Sequence, residues 1–384
     1  MPRRCLLALL SLAAAAPAAA QPEAKLVRPA ARLAHQFSTI GGARELADGR
    51  VLIADGIDNV VLRVDLATQK LDTVGRSGQG PGEYKAPDAL FPLPGQATMV
   101  VDLGNARLSI FDGAGKYRES IPIAQGQPGQ GAFSLIFPRA VDAAGRIYYQ
   151  PLGGGPRADS TVVIRWDRAS GRSDTVARVK LPSMITKESG GPNNRNMRQR
   201  PTPYPPQDSW AVAPDGRVAL VRAPVYRVDW VSAAGVRTVG KPIPAVAVPI
   251  REAEKKEYQA DQAANGLSVS MENRNGQVSM NFSRGRSDGA REEAEDIAAT
   301  EWPAAKPAAT GLVLAAPDGI LWIERSGPAG AARTYDLIGP DGAVARRVTL
   351  PVGRRVVGFG ARGVYVRHID ADGINYLERY DQPK

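Results

Sequence analysis

Residues 45–55 read ELADGRVLIAD, which is a short strand, a turn containing glycine and a hydrophobic strand that ends in aspartate. The same pattern recurs at residues 92–102 (PLPGQATMVVD), 141–150 (VDAAGRIYYQ), 212–221 (VAPDGRVALV), 314–324 (LAAPDGILWIE) and 358–367 (GFGARGVYVR). Six copies of one strand-turn-strand unit indicate a repeat protein, in which each unit buries its apolar face against its neighbours.

The spacing of the copies identifies the architecture. The turn glycines are Gly49, Gly95, Gly145, Gly216, Gly319 and Gly363, and they lie 46, 50, 71, 103 and 44 residues apart. Each copy is followed by a third hydrophobic strand ending near an aspartate, as at Phe111-Asp112. Because a four-stranded propeller blade needs roughly 40 to 50 residues, the sequence predicts an all-β six-bladed β-propeller, with insertions in the two long intervals.

The beginning of the chain carries a further signal. Arg3 and Arg4 precede a short apolar run, and residues 18–20 are alanines, which is the pattern of a cleaved secretory signal peptide over residues 1–20. Its removal takes away the lone cysteine, Cys5, and lowers the formal net charge from +10 to +8. We therefore expect a single periplasmic or secreted domain over residues 21–384, without a transmembrane segment.

Ring closure is predicted from the last repeat, which leaves room for only three strands before the C-terminus. Residues 31–40 (ARLAHQFSTI) form a spare strand ahead of the first blade. We expect this strand to complete blade 6, because a closed ring removes an exposed sheet edge.

Two insertions account for the surplus length. Residues 184–208 are rich in Gly, Pro and Arg, which predicts a surface loop between blades 3 and 4. Residues 245–310 are predicted to be partly helical, with helices over 249–265 and 287–300 and a hairpin turning at 273–276. The second insertion is either a functional lid over one mouth of the channel or a structural cap.

Part of the sequence resembles a known group of proteins. Residues 100–115 (VVDLGNARLSIFDGAG) resemble an NHL-type repeat, and residues 75–87 (GRSGQGPGEYKAP) resemble a loop of bacterial secreted six-bladed β-propellers. The resemblance is strongest over residues 45–123, where the family pattern of Asp, Asn and Arg is present as Asp102, Asn105 and Arg107. It implies the propeller fold and a role as a binding scaffold, and it implies no particular activity.

Six residues are candidates for ligand binding. The glycine-rich loop at 75–87 carries Arg76, Glu83 and Tyr84, and backbone N–H groups of such a loop can hold an anion. The loop lacks the Lys-Ser/Thr ending of a P-loop, so turn architecture is the competing interpretation. The full set of candidates is Arg76, Glu83, Tyr84, Asp102, Asn105 and Arg107.

An enzymatic alternative depends on a hard cation such as Ca²⁺ in the channel. Asp55, Asp102 and Asn105 could supply oxygen ligands, although aspartates at strand ends also bind turn backbone. With only His35 and His368 in the chain, a three-histidine zinc site is excluded. Residues 370–373 (DADG) resemble half of a calcium loop, and we expect a simple Asp-Gly turn there.

Other function classes find little support in the sequence. It contains no Gly-x-Ser-x-Gly elbow, no His-Glu-x-x-His helix and no dinucleotide fingerprint. Basic residues at Arg195, Arg198, Arg200, Arg284 and Arg286 could form a patch for an acidic partner, but no aromatic residues alternate with them, and nucleic acid is not expected.

The leading interpretation is an extracytoplasmic, monomeric binding scaffold that needs no cofactor. Its partner would be an unidentified protein, small molecule or glycan. The alternative is a metal-assisted hydrolase or lyase of the gluconolactonase-like or amidating-lyase-like propeller kind.

Overall fold

The computed structural model describes residues 22–125, 134–151, 158–191, 194–223, 225–274, 277–284 and 301–383. Six of the sheets that these residues form follow one another along the chain and pack side by side as blades. The predicted all-β six-bladed propeller is therefore confirmed.

The first three blades have four strands each. Blade 1 contains Gly42–Glu45, Val51–Asp55, Val60–Val64 and Leu71–Thr73. Blade 2 contains Pro87–Pro92, Thr98–Asp102, Arg107–Phe111 and Tyr117–Pro122. Blade 3 contains Pro138–Val141, Ile147–Tyr149, Ser160–Asp167 and Arg172–Lys180.

The last three blades follow the same order, and blades 5 and 6 also take strands from the N-terminal region. Blade 4 contains Ser209–Val212, Val218–Arg222, Arg227–Val231 and Arg237–Thr238. Blade 5 contains Ala309–Ala315, Leu321–Arg325, Thr334–Ile338 and Val344–Thr349, with Glu23–Lys25 added in parallel at its edge. Blade 6 contains Arg354–Gly360, Gly363–Ile369, Asn375–Tyr380 and Ala31–Arg32.

The N-terminal region joins the beginning of the chain to its end. Ala31 and Arg32 pair antiparallel with Arg379 and Glu378, and Phe37 forms a further bridge to Asn375. The regular strand, Ala31–Arg32, is shorter than the predicted residues 31–40, and beyond it the chain keeps single backbone hydrogen bonds to blade 6, from Leu33 to Leu377 and from Phe37 to Asn375. Blade 6 thus contains strands from both ends of the described chain.

The hydrophobic core is divided among the interfaces between blades. Buried side chains form clusters between blades 1 and 2, 2 and 3, 3 and 4, 4 and 5, and 5 and 6. A further cluster joins blade 6 to blade 1, where Tyr365 and Leu377 pack with Val51 and Ile53. Because every pair of neighbouring blades shares such a cluster, apolar burial closes the ring.

The repeat glycines have the backbone conformation that the turns require. All six have positive φ: Gly49 (84°), Gly95 (69°), Gly145 (81°), Gly216 (85°), Gly319 (82°) and Gly363 (147°). At Gly363, a Cβ atom would also lie 2.0 Å from the carbonyl oxygen of Tyr380. Glycine is therefore required at Gly363 for two independent reasons.

The antiparallel order defines two faces of the ring. In each blade, the first strand begins and the second strand ends on one face of the ring, and the connections between blades cross on that same face. We call it the upper face. The turns at the repeat glycines lie on the opposite face. Both insertions belong to blade-to-blade connections and so start from the upper face.

The first insertion differs from its prediction. Within residues 184–208, Met184–Gly191 and Asn194–Pro201 form a hairpin instead of a surface loop. The cause is tertiary: the second strand pairs with Leu267–Arg274 of the other insertion, which in turn pairs with Gln277–Arg284. Pairing partners distant in sequence overcome the low strand propensity of Gly, Asn and Pro.

The second insertion agrees with its prediction where it is described. Helix α1 spans Glu252–Asn265, and the predicted hairpin is formed by Leu267–Arg274 and Gln277–Arg284. The second predicted helix, at 287–300, lies outside the described residues, as does the predicted signal peptide at 1–20. Among the described residues, no helix is both long and apolar enough to cross a membrane.

Short elements complete the upper face and the connections. They are the pairs Arg76–Ser77 with Glu83–Tyr84, Ala124–Gln125 with Ser134–Leu135 and Val248–Pro249 with Ala305–Lys306, and the 3-10 turn Pro94–Gln96.

Candidate functional site

Three of the predicted site residues hold the glycine-rich loop of the upper face in place. Asp102, fully buried, accepts hydrogen bonds from the Lys85 amide (2.7 Å) and from Asn105 Nδ2 (2.8 Å). Asn105 Nδ2 also donates to the Gly78 carbonyl at 2.9 Å. Arg107 Nη2 donates to the carbonyls of Gly80 and Glu83, at 2.9 Å each. The Asp-Asn-Arg pattern therefore fixes the backbone of the loop.

The other three predicted residues belong to the loop itself. Arg76 pairs with Glu83 at 2.6 Å and is largely exposed. Hydrogen bonds from the Gly80 amide and from Arg76 lower the pKa of Glu83. The Tyr84 hydroxyl is buried, accepts from the Val61 amide and donates to the Val74 carbonyl. Ligand binding by these six residues stays a prediction, and their described contacts serve the loop.

The predicted metal ligands also bind backbone. Asp55 accepts from the amides of Ser38 (2.9 Å) and Thr39 (3.1 Å) in the preceding connection, and from Ile57 and Asp58 in its own turn. The structure thus confirms that Asp55 and Asp102 bind turn and loop backbone at strand ends. In the described part of the chain, no three His, Cys, Asp or Glu side chains come together as metal ligands.

Residues 370–373 form the predicted Asp-Gly turn. The Gly373 amide donates to the Asp370 carbonyl at 3.1 Å, and the Asp372 amide donates to Asp370 Oδ1 at 3.0 Å.

A cavity of about 500 Å³ lies on the upper face over blades 4 to 6. Its walls come from the strand ends of blades 4 and 5, from the connection at residues 306–311 and from α1. Its lining residues include Tyr204, Tyr258, Glu324, Arg325, Arg333 and Arg355. None of the six predicted ligand-binding residues lines this cavity.

Helix α1 forms one wall and is anchored to blade 5 by its acidic side. Glu254 Oε1 accepts from the Ala329 amide at 3.0 Å, and Glu257 Oε2 accepts from Lys306 Nζ at 3.1 Å. These backbone and lysine contacts lower the pKa of Glu254. Since Glu254, Glu257 and Asp261 recur at helical spacing, the acidic face of α1 follows directly from its sequence.

A buried carboxylate, Glu324, lies in the floor of the cavity. Arg333 Nη1 donates to Oε1 at 2.7 Å, Arg355 Nε donates to Oε2 at 2.9 Å, and the Tyr335 hydroxyl donates to Oε2 at 3.1 Å. Burial alone would raise the pKa of Glu324, but the positive charges of Arg355 and Arg333 outweigh it and hold the pKa below its usual value. Glu324 is therefore ionised at neutral pH.

A second buried carboxylate lies on the other side of blade 5. Asp336 accepts from Arg325 Nη1 (2.8 Å), Arg347 Nε (3.0 Å) and the Tyr226 hydroxyl (2.9 Å). The ion pair with Glu324 holds Arg333 along the cavity wall, and the ion pair with Asp336 holds Arg325 there.

Aromatic rings from α1 and from the chain beside it form one part of the wall. The Tyr204 and Tyr258 rings lie 4.9 Å apart between centroids, and Trp302 packs edge-on behind Tyr258 at 5.6 Å. The Tyr204 hydroxyl donates to the Glu254 carbonyl at 3.0 Å, which joins this cluster to α1. Burial raises the pKa of Tyr204.

The cavity residues could not be assigned to one site from the sequence alone. Glu324 ends the fifth copy of the repeat motif, where Asp55 and Asp102 end the first two copies. Its position was therefore visible in the motif. The arginines that surround it come from blades 5 and 6, and no local pattern connects them to Glu324.

Comparison with known proteins yields distant structural likenesses. No protein-family model and no curated protein matches the sequence. A member of the DUF4221 family from Bacteroides vulgatus superposes with a TM-score of 0.47 and 10% identity, covering 91% of this chain and 95% of that one.

Two further structures have similar coverage. The calcium-binding protein regucalcin from Agrobacterium tumefaciens has a TM-score of 0.43 and 14% identity, over 94% of this chain and 97% of its own. Virginiamycin B lyase from Staphylococcus aureus has a TM-score of 0.37 and 11% identity, over 88% of this chain and 79% of its own. At these identities and TM-scores, the likenesses carry no argument about what this chain does.

Proposed function

We propose that this chain is an extracytoplasmic binding protein that holds a small molecule in the cavity between α1 and blades 4 to 6. The observation that carries the proposal is the cavity itself. Its volume of about 500 Å³ falls within the range of roughly 300 to 1,000 Å³ that is usual for small-molecule sites. Its wall combines aromatic rings with a few fixed charged groups, which is the composition expected of such a site.

The insertions support a binding role. α1 and Tyr204 belong to chain that the six-bladed ring does not need, and both line the cavity. Ordered additions to connections on a rigid scaffold are frequent places for binding residues. The position of α1 favours the lid over the structural cap, because α1 forms a wall of the cavity.

The proposal is tested by a thermal-shift screen of the mature protein against sugars, organic acids, nucleotides and amines. A ligand that binds the folded state stabilises it by RT ln(1 + L/Kd), where L is the ligand concentration, so the unfolding temperature rises with the logarithm of that concentration once it exceeds Kd. Ala331 is exposed and lines the cavity, so Ala331→Trp should fill the space and abolish the shift for any ligand found.

Ala67→Trp is the matched control. Ala67 is exposed in the turn after the third strand of blade 1, away from the cavity. This variant should retain the full shift. A ligand whose shift survives Ala331→Trp binds elsewhere, and that result overturns the proposed site.

The enzymatic alternative has its own measurement. Stoichiometric metal in the purified mature protein, together with a large loss of stability in EDTA, would favour a metal-assisted hydrolase or lyase. The backbone contacts of Asp55 and Asp102 favour the binding protein, since these carboxylates already serve as turn acceptors.

Export and family placement are part of the proposal. The charged start, the apolar run and the alanines at 18–20 support cleavage after Ala20. The motif at residues 100–115 supports a place among secreted propellers with NHL-like repeats. N-terminal sequencing of the protein from the periplasm or medium should begin at Gln21, and an intact Met1 would contradict export.

A further inference from the structure

Two carboxylates in the wall of the cavity, Glu324 and Glu257, already accept hydrogen bonds on both of their oxygens. Both oxygens of Glu324 are occupied, since Oε1 accepts from Arg333 and Thr310 and Oε2 accepts from Arg355 and Tyr335. Glu257 likewise uses Oε2 for Lys306 and Oε1 for the Gly330 amide. These carboxylates therefore have little capacity left to accept a hydrogen bond from a ligand.

The arginines of the wall, unlike these carboxylates, still have hydrogen-bonding capacity for a ligand. A guanidinium has five N–H donors, and that of Arg333 makes one hydrogen bond to the described residues, through Nη1 to Glu324. Its side chain is 35% exposed, so its remaining donors are accessible. Arg333 can therefore bind an acceptor from a ligand and keep its pair with Glu324.

Arg325 provides a second set of donors on the other side of blade 5. Within the described chain, its one hydrogen bond runs from Nη1 to Asp336 Oδ2 at 2.8 Å. The Arg325 guanidinium also lies 6.0 Å from the centre of the Tyr226 ring, and its side chain is 15% exposed. The ion pairs with Asp336 and Glu324 hold both arginines in place before any ligand arrives, which lowers the entropic cost of binding.

We propose that the ligand of this cavity is an organic anion whose carboxylate or phosphate group is held by the free N–H donors of Arg333 and Arg325, with its ring or chain against Tyr204 and Tyr258. This inference rests on the proposed function and specifies its ligand class. Guanidinium groups bind carboxylate and phosphate oxygens through two parallel hydrogen bonds, which gives both affinity and orientation.

The electrostatics next to the site agree with this assignment. Burial lowers the pKa of Arg367 to about 10. The positive charges of Arg355 and Arg333 add to this shift, and the carboxylates of Asp261 and Glu324 oppose it. The two arginines outweigh the two carboxylates, and an excess of positive charge favours an anion over a cation.

The test uses four ring compounds that differ mainly in charge: glucose, glucosamine, glucuronate and glucose 6-phosphate. Titration calorimetry on the mature protein compares their affinities, with acetate and inorganic phosphate as probes of the anionic group alone. We expect glucuronate or glucose 6-phosphate to bind at least about tenfold more tightly than glucose, because a charge-assisted hydrogen bond contributes that much. The tighter of the two identifies the acidic group.

Variants of Arg333 show whether the anion contacts this side chain. Arg333→Gln should weaken binding of the preferred anion by about tenfold or more and leave glucose unchanged. Arg333→Lys keeps a positive charge beside Glu324 and tests the guanidinium if the glutamine variant does not fold. Arg118→Gln, at a surface pair with Asp112 on blade 2, is the matched control and should bind like the wild type.

The outcomes separate the two proposals. If glucose or glucosamine binds as tightly as the anions, and Ala331→Trp abolishes that binding, the cavity site stands and the anion inference is overturned. Equal binding of the preferred anion by Arg333→Gln, Arg333→Lys and the wild type also overturns it. If neither anion binds, the inference fails, while the wider ligand screen decides on the cavity.

Discussion

The Tyr365 hydroxyl donates a 2.8 Å hydrogen bond to Glu45 Oε2, joining blade 6 to blade 1 across 320 positions of sequence. The Arg362 amide donates to the same carboxylate oxygen at 3.1 Å. This contact lies at the same blade interface as the apolar cluster of Tyr365, Val51 and Ile53. A polar contact and apolar packing together connect the first and last blades.

Tyr365→Phe should destabilise the closed ring. The ring of the side chain stays in the core, and the loss of one hydrogen bond to a carboxylate should lower the free energy of unfolding by about 1.5 to 3 kcal/mol. Tyr376→Phe is the control, because the Tyr376 hydroxyl accepts a single 3.3 Å bond from the described residues, from the exposed Gln36, and phenylalanine keeps the ring that lies under Arg32. Urea unfolding followed by fluorescence measures both, and equal stability of the two variants would contradict a role in closure.

Glu324→Gln should lower the free energy of unfolding far more than the loss of a surface charge does. The substitution removes the charge of a fully buried carboxylate and so leaves the partly exposed guanidiniums of Arg333 and Arg355 without their counter-charge, which lowers the free energy of unfolding by about 3 to 5 kcal/mol. Glu119→Gln removes a carboxylate that pairs with Arg168 on the surface and is 53% exposed, and it should cost less than about 1 kcal/mol. Similar losses in the two variants would show that the charges around Glu324 do not depend on it.

Alkaline pH should unfold the protein. Burial raises the pKa of Tyr84, Tyr148, Tyr226, Tyr335 and Tyr365, and burial with the nearby Glu378 raises the pKa of Tyr380 to about 12. The unfolded chain ionises its tyrosines near pH 10, so it loses protons that the folded chain keeps. Stability is fully present below about pH 10 and falls as the pH rises towards the folded pKa values.

Tyrosinate absorbance at 295 nm, recorded with circular dichroism, measures this effect. The buried tyrosines should ionise together with the loss of secondary structure. Ionisation of all tyrosines in a chain that stays folded would contradict the burial argument.

Asp102→Ala should release the glycine-rich loop at residues 75–87. The Lys85 amide loses its acceptor, and Asn105 and Arg107 lose the carboxylate that orients them. Trypsin should then cleave after Arg76 or Lys85 about tenfold faster, because local opening becomes easier by more than about 1 kcal/mol. Asp112→Ala, which removes the acceptor of the Ala114 and Lys116 turn amides and the surface pair with Arg118 on the lower face, should leave cleavage of this loop unchanged.

The repeat could be predicted from the sequence because its determinants are local. Each copy carries its own glycine turn and alternating strands, and the positive φ at Gly49 and Gly216 follows from the turn alone. Asp55 and Asp102 were also predictable as backbone acceptors, since a short acidic side chain at a strand end reaches neighbouring amides.

The cavity and the added sheet could not be predicted because their determinants are distant in sequence. Glu324 takes its partners from Arg333 and from Arg355, 31 positions away, and α1 approaches them from an insertion. The hairpin within residues 184–208 depends in the same way on strands at Leu267–Arg274, so its glycines and prolines gave the wrong prediction of a loop.

The sheet shared by the two insertions has a consequence for folding during synthesis. Asn194 to Arg198 pair with Ser270 to Arg274, and all of blade 4 lies in the chain between these strands. Blade 4 therefore leaves the ribosome before its enclosing strands can pair, and the first hairpin has an exposed edge until about 70 further residues are made. An unpaired edge of this kind attracts other chains, so the interval between the two insertions is the stage of synthesis at which the nascent protein most needs protection from aggregation.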